Sequence, residues 1–195
     1  MSTATDPTRS SPIAASGHAA SPQIAQTLAA PQGQVKVCVK GPGVEAWAQA
    51  QAIPWPAKLY DIVGVGQGAS FPGHAESWLV RVGNQELVLE CSPDEPLLQK
   101  WEQALQASPP AVYRIEHQSV SIDLLGQQAL AVLAQTSGVR FASEPAGRIV
   151  FTRVAGVSCG ILVLGEGQNR FYRIWVDYTL ASYLWETLVE IVAGM

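Results

Sequence analysis

Long apolar runs, clustered cations and closely spaced cysteines are all missing from this sequence, and each absence removes a class of function. No stretch approaches the ~20 uninterrupted apolar residues of a spanning helix, so no membrane association is expected. The 12 lysines and arginines are scattered singly. Nucleic-acid binding draws on concentrated cations that release counterions, so neither DNA nor RNA is an expected partner. Cysteine is scarce: Cys38, Cys91 and Cys159 are odd in number and far apart, which fits neither a disulfide framework nor a CxxC metal knuckle. The opening MSTATDPTRSSPIAASGHAA has no apolar stretch of signal-peptide length and starts without positive charge. A reducing, cytoplasmic setting is expected.

What is present is a chain able to bury a core. Of 195 residues, 48% are hydrophobic and only 14% charged, with a formal net charge of −4, which suits one soluble domain with or without a tail. Residues 1–34 are rich in Ser, Ala, Thr, Pro and Gln and poor in large apolar side chains. Such a segment cannot recover the entropy of ordering, so a disordered tail is expected there, with at most a short helix around Ile24 to Leu28. Residues 35–195 are expected to form a single domain.

Along that domain, VKVCVK alternates as a strand does, GVEAWAQAQ suits a helical turn or two, and the prolines hold IPWPAK extended. The stretch from residue 35 to 71 has no evident place in a larger pattern. Gly64, Gly66 and Ala69 satisfy G-x-G-x-x-A, but Phe71-Pro72-Gly73 follows at once. No helix can start there to offer N–H groups to a pyrophosphate, so a loop is expected rather than a cofactor site. SWLVRV and QELVLE around Gly83-Asn84 predict a hairpin. Ser92, as a cap, and Pro93, in the first turn, predict a helix with Leu97, Leu98, Trp101, Ala104 and Leu105 on its apolar side. VYRIEHQSVSIDLLG reads as one long strand whose apolar phase slips near His117-Gln118, which predicts a bulge or bend. A helix with Ala129, Leu130, Leu133 and Ala134 inward follows Gly126 and stops at Gly138. Three strands, GRIVFTRVAG, VSCGILVLG and NRFYRIWVD, then lead into a last helix with Leu180, Leu184, Leu188 and Ile191 buried. Strands joined by hairpins and interspersed with helices imply an α+β domain, with a mostly antiparallel sheet and helices on one face.

Residues able to carry chemistry are few. His18, His74 and His117 share no metal-ligand or dyad spacing. His117 could do acid–base work with Glu116 and Asp123, but strand neighbours point to opposite faces, so Glu116 and His117 cannot share a pocket. Ser119, Ser121 and Ser158 lack the G-x-S-x-G elbow of a nucleophile, and Cys159, in an apolar strand, is expected to be a buried, inert thiol. No catalytic or metal-binding residue is assigned. The strand from Arg170 to Asp177 offers one candidate face. Alternation sets Tyr172, Ile174 and Val176 toward a core and Phe171, Arg173 and Trp175 together on the other side. Two large aromatics around a cation suit a protein partner or a flat ring. The competing reading is plain packing, with helices covering this face too and Arg173 paired to Asp177. Arg148 and Arg153 point to opposite faces of the neighbouring strand, so at most one of them can join this cluster.

The order of these pieces resembles the gamma subunits of heterotetrameric sarcosine oxidases, within the folate-binding superfamily of the glycine-cleavage T-protein. The resemblance spans residues 77–192. It rests on R-V-G-N-Q-E-L-V-L before the first long helix, H-Q-S-V-S-I-D-L-L-G-Q-Q-A-L-A-V-L from His117, G-R-I-V-F-T-R from Gly147, and Y-L-W-E-T-L from Tyr183. It implies a T-protein-like fold and an accessory role in which a gamma-type chain packs on a larger oxidase subunit. Flavin, NAD and zinc would be held by other subunits, and the one-carbon unit taken from sarcosine would pass to tetrahydrofolate. Two departures bear on activity. The KGCYxGQE-type motif of the related iron–sulfur maintenance proteins is absent, and the chain is short for a complete T-protein body, so independent aminomethyl transfer is not expected. A stand-alone folate- or pterin-binding protein, and an interaction module without a ligand, are the alternative readings.

Overall fold

The computed structural model describes residues 12–13, 21–65 and 77–195. His18, His74, most of the expected tail and the Gly66 to Ala69 part of the glycine motif lie outside these residues. Gly64 lies within a strand.

Residues 21–34, within the stretch that composition marks as a tail, carry a helix and a short strand. Helix α1, Pro22–Thr27, begins where Ser21 accepts a hydrogen bond from Ile24 N–H and Pro22 takes the first turn. It runs into strand β1, Leu28–Ala29. Ile24 and Leu28 enter the core, and their burial offsets the ordering entropy that composition alone leaves unpaid.

The strands β2 (Val35–Lys40), β3 (Ile62–Val65), β4 (Ser77–Gly83), β5 (Glu86–Cys91) and β6 (Tyr113–Glu116) form one sheet, in the order β3-β4-β5-β2-β6. The strands β7 (Ser119–Leu124), β8 (Arg148–Val154), β9 (Val157–Leu164) and β10 (Phe171–Asp177) form the second with β1, in the order β1-β7-β10-β9-β8. Every pairing is antiparallel. Helices α2 (Val44–Ala50) and α3 (Pro96–Gln106) cover the outer face of the N-terminal sheet, where Trp47 and Trp101 meet edge to face at 5.5 Å. Helices α4 (Ala129–Thr136) and α5 (Ala181–Ala193), with α1, cover the outer face of the C-terminal sheet. The two inner faces pack on each other through Trp78, Val80, Val88, Leu162, Leu164 and Trp175. The result is an α+β sandwich in which each sheet carries helices on one face and the other sheet on its second.

Several local expectations shift for physical reasons. The slip near His117 is a change of sheet: β6 pairs with β2, whereas β7 pairs with β10 and β1. Helix α3 starts three residues after Pro93, with Pro96 at its first position and Glu95 accepting from Leu97 N–H at 3.4 Å. The turn between β4 and β5 is Asn84-Gln85, because a register shift at Arg81 to Gly83 extends β4 through Gly83. In α4 the buried side chains are Ala129, Val132 and Leu133, with Leu130 and Ala134 outside. In α5 they are Ala181, Leu184, Leu188, Val189 and Val192, while Leu180 precedes the helix and is exposed.

Candidate functional site

Phe171, Arg173 and Trp175 do share one face of β10, as strand alternation requires. The structure brings them together inside the protein. Their exposures are 9%, 3% and 4%, because the N-terminal sheet, not helices, lies over them. This corrects the expectation of an open partner or ligand surface at this face, since Phe171 and Arg173 stand between the sheets.

Arg173 pairs with Asp123 on the adjacent strand β7, not with Asp177. Its Nε and Nη2 donate to Asp123 Oδ1 and Oδ2 at 2.8 and 2.9 Å, a bidentate bond. A third nitrogen, Nη1, stands 3.7 Å from Glu90 Oε2 on the opposite sheet. Trp175 Nε1 donates to the same Glu90 oxygen at 2.7 Å. Ser121 Oγ donates to Glu90 Oε1 and accepts from Lys36 Nζ at 2.7 Å, and Lys36 also donates to the carbonyl of Ser119. The Lys36 ammonium is 3.4 Å from Glu90 and 5.6 Å from the centre of the Trp175 ring. Two cations and two carboxylates are thereby buried as one cross-link between the sheets.

Burial raises the pKa of Glu90, but Lys36 and Arg173, with hydrogen bonds from Ser121 and Trp175, outweigh it and hold the carboxyl below its ordinary value. Burial lowers the pKa of Lys36 despite the pull of Glu90. For Arg173 burial is outweighed by Asp123 and Glu90, and its pKa is raised. The cluster therefore spends its donors on its own carboxylates. It can lock two sheets in register; it has no free base or nucleophile to offer a substrate.

Lys36 and Glu90 were not singled out by sequence reasoning, and Ser121 and Asp123 were weighed there only as nucleophile and acid–base candidates. A signal for them exists: Lys36, Glu90 and Asp123 are charged residues at central strand positions that alternate with buried apolar ones, a pattern that calls for an opposite charge across a sheet.

The other chemical candidates are dispersed. His117 Nδ1 is 2.8 Å from Ser119 Oγ and its ring meets Trp175 edge to face at 5.3 Å, while Asp123 is held by Arg173. Burial, then Lys36, lowers the pKa of His117. Cys159 is buried, as expected, and burial pushes its thiol up to about 12. Cys38 and Cys91 are likewise buried and pushed up to about 12. Arg148 is held at the carbonyl of Leu59 and near Asp61. Arg153 belongs to the face of Phe151 and Trp175, since β8 and β9 match Phe151 to Gly160 and Arg153 to Ser158, but it lies beyond the cover of the second sheet. There an open groove of about 820 Å³ runs past His117, Ser119, Trp175, Gly160, Phe151 and Arg153. Among the described residues no group of three His, Cys, Asp or Glu could hold a metal ion.

No family model matches the chain, and no curated protein matches it. Solved structures do. Heterotetrameric sarcosine oxidase from Corynebacterium sp. U-96, solved in complex with pyrrole 2-carboxylate, contains a chain similar over 86% of this one and 83% of its own length, with a TM-score of 0.66 and 18% identity. The glycine cleavage system aminomethyltransferase T from Bartonella henselae is similar over 83% of this chain, with a TM-score of 0.61 and 18% identity. This chain spans 45% of that enzyme's length. The resemblance read from the sequence thus holds at the level of architecture, and the chain has a T-protein-like fold.

Proposed function

We propose that this chain is a non-catalytic accessory subunit, of gamma type, in a one-carbon oxidoreductase complex resembling sarcosine oxidase, and that it stabilises a larger subunit of that complex. The observation that carries this reading is the nearly full-length likeness, in both directions, to a chain of a heterotetrameric sarcosine oxidase. The internal chemistry supports it. The most polar cluster, around Glu90 and Arg173, is saturated by its own members and serves packing. A cytoplasmic setting belongs to the same reading, in keeping with three unpaired buried thiols. No helix among the described residues is long and apolar enough to cross a membrane.

The test is co-expression with the larger subunits of a sarcosine-oxidase-type complex from the same organism. The expected result is co-purification in fixed stoichiometry, with a higher thermal midpoint for the large subunit when this chain is present. Failure of the two to co-purify would remove the accessory role. Tetrahydrofolate added to the isolated chain separates the alternative. A saturable quench of Trp fluorescence would favour a folate-binding protein, and no quench is expected.

A further inference from the structure

Strand β6 closes one side of the N-terminal sheet, and all of its residues, Tyr113–Glu116, are exposed. Which of them keep free backbone groups follows from the neighbouring strand. Gly41 N–H, just past β2, donates to the Gln85 carbonyl beside β5, and alternate residues of an antiparallel strand turn their backbone groups to the same side. Val37 and Val39 therefore bond β5, whereas Cys38 and Lys40 bond β6 through their register partners Ile115 and Tyr113. Arg114 and Glu116 are left with N–H and C=O groups aimed outward, and among the described residues nothing bonds them. The free edge ends there, since Val112 N–H donates to the Pro109 carbonyl and the Gln118 carbonyl accepts from Tyr178 N–H.

The side chains sort by the same alternation. Arg114 and Glu116 lie opposite Val39 and Val37, on the helix-covered face of the sheet. Arg114 stands 3.9 Å from Glu102 of α3, and Glu116 has no ion pair among the described residues. Tyr113 and Ile115 lie on the other face, outside the cover of the C-terminal sheet. They are 61% and 40% exposed beside a hollow of about 590 Å³.

A short edge strand that carries charge is a common guard against pairing. Charge of one sign would repel a second copy, but here opposite signs occupy alternate positions. A two-fold axis at Ile115 sets Arg114 against the partner's Glu116, Glu116 against the partner's Arg114, and Ile115 against the partner's Ile115. In that register every outward backbone group meets a complementary one. Sliding the copies either way opposes Arg114 to the partner's Arg114, or Glu116 to the partner's Glu116, and leaves outward groups unbonded. The charges and the backbone groups of this edge thus select the same register, and they select it with a copy of the strand itself.

We infer that β6 pairs with β6 of a second copy of this chain, antiparallel and centred on Ile115, so that the two N-terminal sheets join into one. The contact is one short strand, smaller than the ~1,000 Å² of a stable interface, which places the dissociation constant in the range of about 10–100 μM. This pairing goes beyond the accessory role and does not rest on it.

The experiment is sedimentation equilibrium of the isolated full chain, as wild type, Arg114→Glu, Glu116→Arg and the double charge swap. The wild type is expected to pass from monomer to dimer across that concentration range. Each single variant sets like charges against each other and is expected to associate about tenfold more weakly. The double swap restores the dimer, and so does mixing the two single variants, because the glutamates of one then meet the arginines of the other. Amide exchange at Arg114 and Glu116 in the wild-type chain is expected to slow as protein concentration rises, a readout that stands even where a variant folds poorly. A wild-type chain that stays monomeric to about 1 mM overturns the inference, and so does a dimer that the single variants leave unchanged or that the mixture fails to restore. Protection of these amides only when the larger subunits are added would assign the edge to them, overturning the self-pairing and leaving the accessory role intact.

Discussion

Glu90 is the residue on which the sheet interface turns: Ser121, Trp175, Lys36 and Arg173 all converge on its carboxylate. Removing one member of a buried ionic cluster leaves the others charged and unpaired, which costs about 3–5 kcal/mol. Glu90→Gln is expected to destabilise the protein by that amount in urea unfolding at neutral pH. The pH dependence has a definite sign. Since the carboxyl of Glu90 is held below its unfolded value, the stability it confers is complete above the ordinary glutamate range and is lost as pH falls through the depressed folded pKa. Unfolding free energies measured across that acidic window should therefore fall more steeply for wild type than for Glu90→Gln; parallel curves would show that Glu90 is not the group responsible. Arg173→Lys keeps the charge but loses the bidentate fork on Asp123, and should cost about 1.5–3 kcal/mol. The sequence located Arg173 and its face correctly. It suggested the wrong partner, Asp177, because a residue four positions on in the same strand is near in sequence, whereas Asp123 is near only once β7 lies beside β10.

At the scale of elements, helix starts and turns show where local signals compete. Ser92 and Pro93 make a credible start for α3, yet Glu95 and Pro96 take the role, because Glu95 also accepts from Ser77 Oγ at 2.7 Å and so joins the helix to the beginning of β4. Glu95→Ala is expected to lower the thermal midpoint in proportion to about 1 kcal/mol of lost capping, and Ser92→Ala to leave it nearly unchanged. The reverse ranking in a melting experiment would return the cap to Ser92. The connection from β9 to β10 gives a stricter case. Gly165 has φ +67°, and a Cβ there would lie 2.2 Å from the Asn169 carbonyl oxygen. Gly165→Ala should destabilise by more than about 1 kcal/mol, by backbone strain and overlap together; a neutral effect in chemical denaturation would mean that this turn can relax. Strand and helix identity, by contrast, was legible for nearly every element after Ser77, because period-two and period-3.6 patterns are written in the core residues themselves.

As a whole molecule, the protein is three apolar layers held by two sheets. The helices on each side bury separate clusters, and the inter-sheet layer around Trp78 and Trp175 joins them. The chain crosses between sheets at His117-Gln118, and residues 60–62 of the N-terminal sheet pair with the edge of β8. Such interleaving makes it hard for one half to unfold alone. A single transition is expected, with near- and far-ultraviolet circular dichroism coinciding as urea is raised; two separated transitions would show that the sheets are independent units. The open groove beyond Trp175 belongs to this scale too, since its walls come from both sheets: Glu116 of β6 on one side and Phe151, Ser158 and Asp177 of the C-terminal sheet on the other.

By itself the sequence determined most of the elements after Ser77, their order and the α+β class, because alternation, helical stripes and turn residues are local facts. It also identified the Phe171, Arg173 and Trp175 face, since strand geometry alone puts those side chains together. Tertiary structure decided that this face is internal. Whether a strand's second side meets solvent, helices or another sheet depends on segments more than 80 residues apart in the chain, as Glu90 is from Trp175. The same is true of the phase slip at His117, which is a local irregularity in one dimension and a passage between two sheets in three.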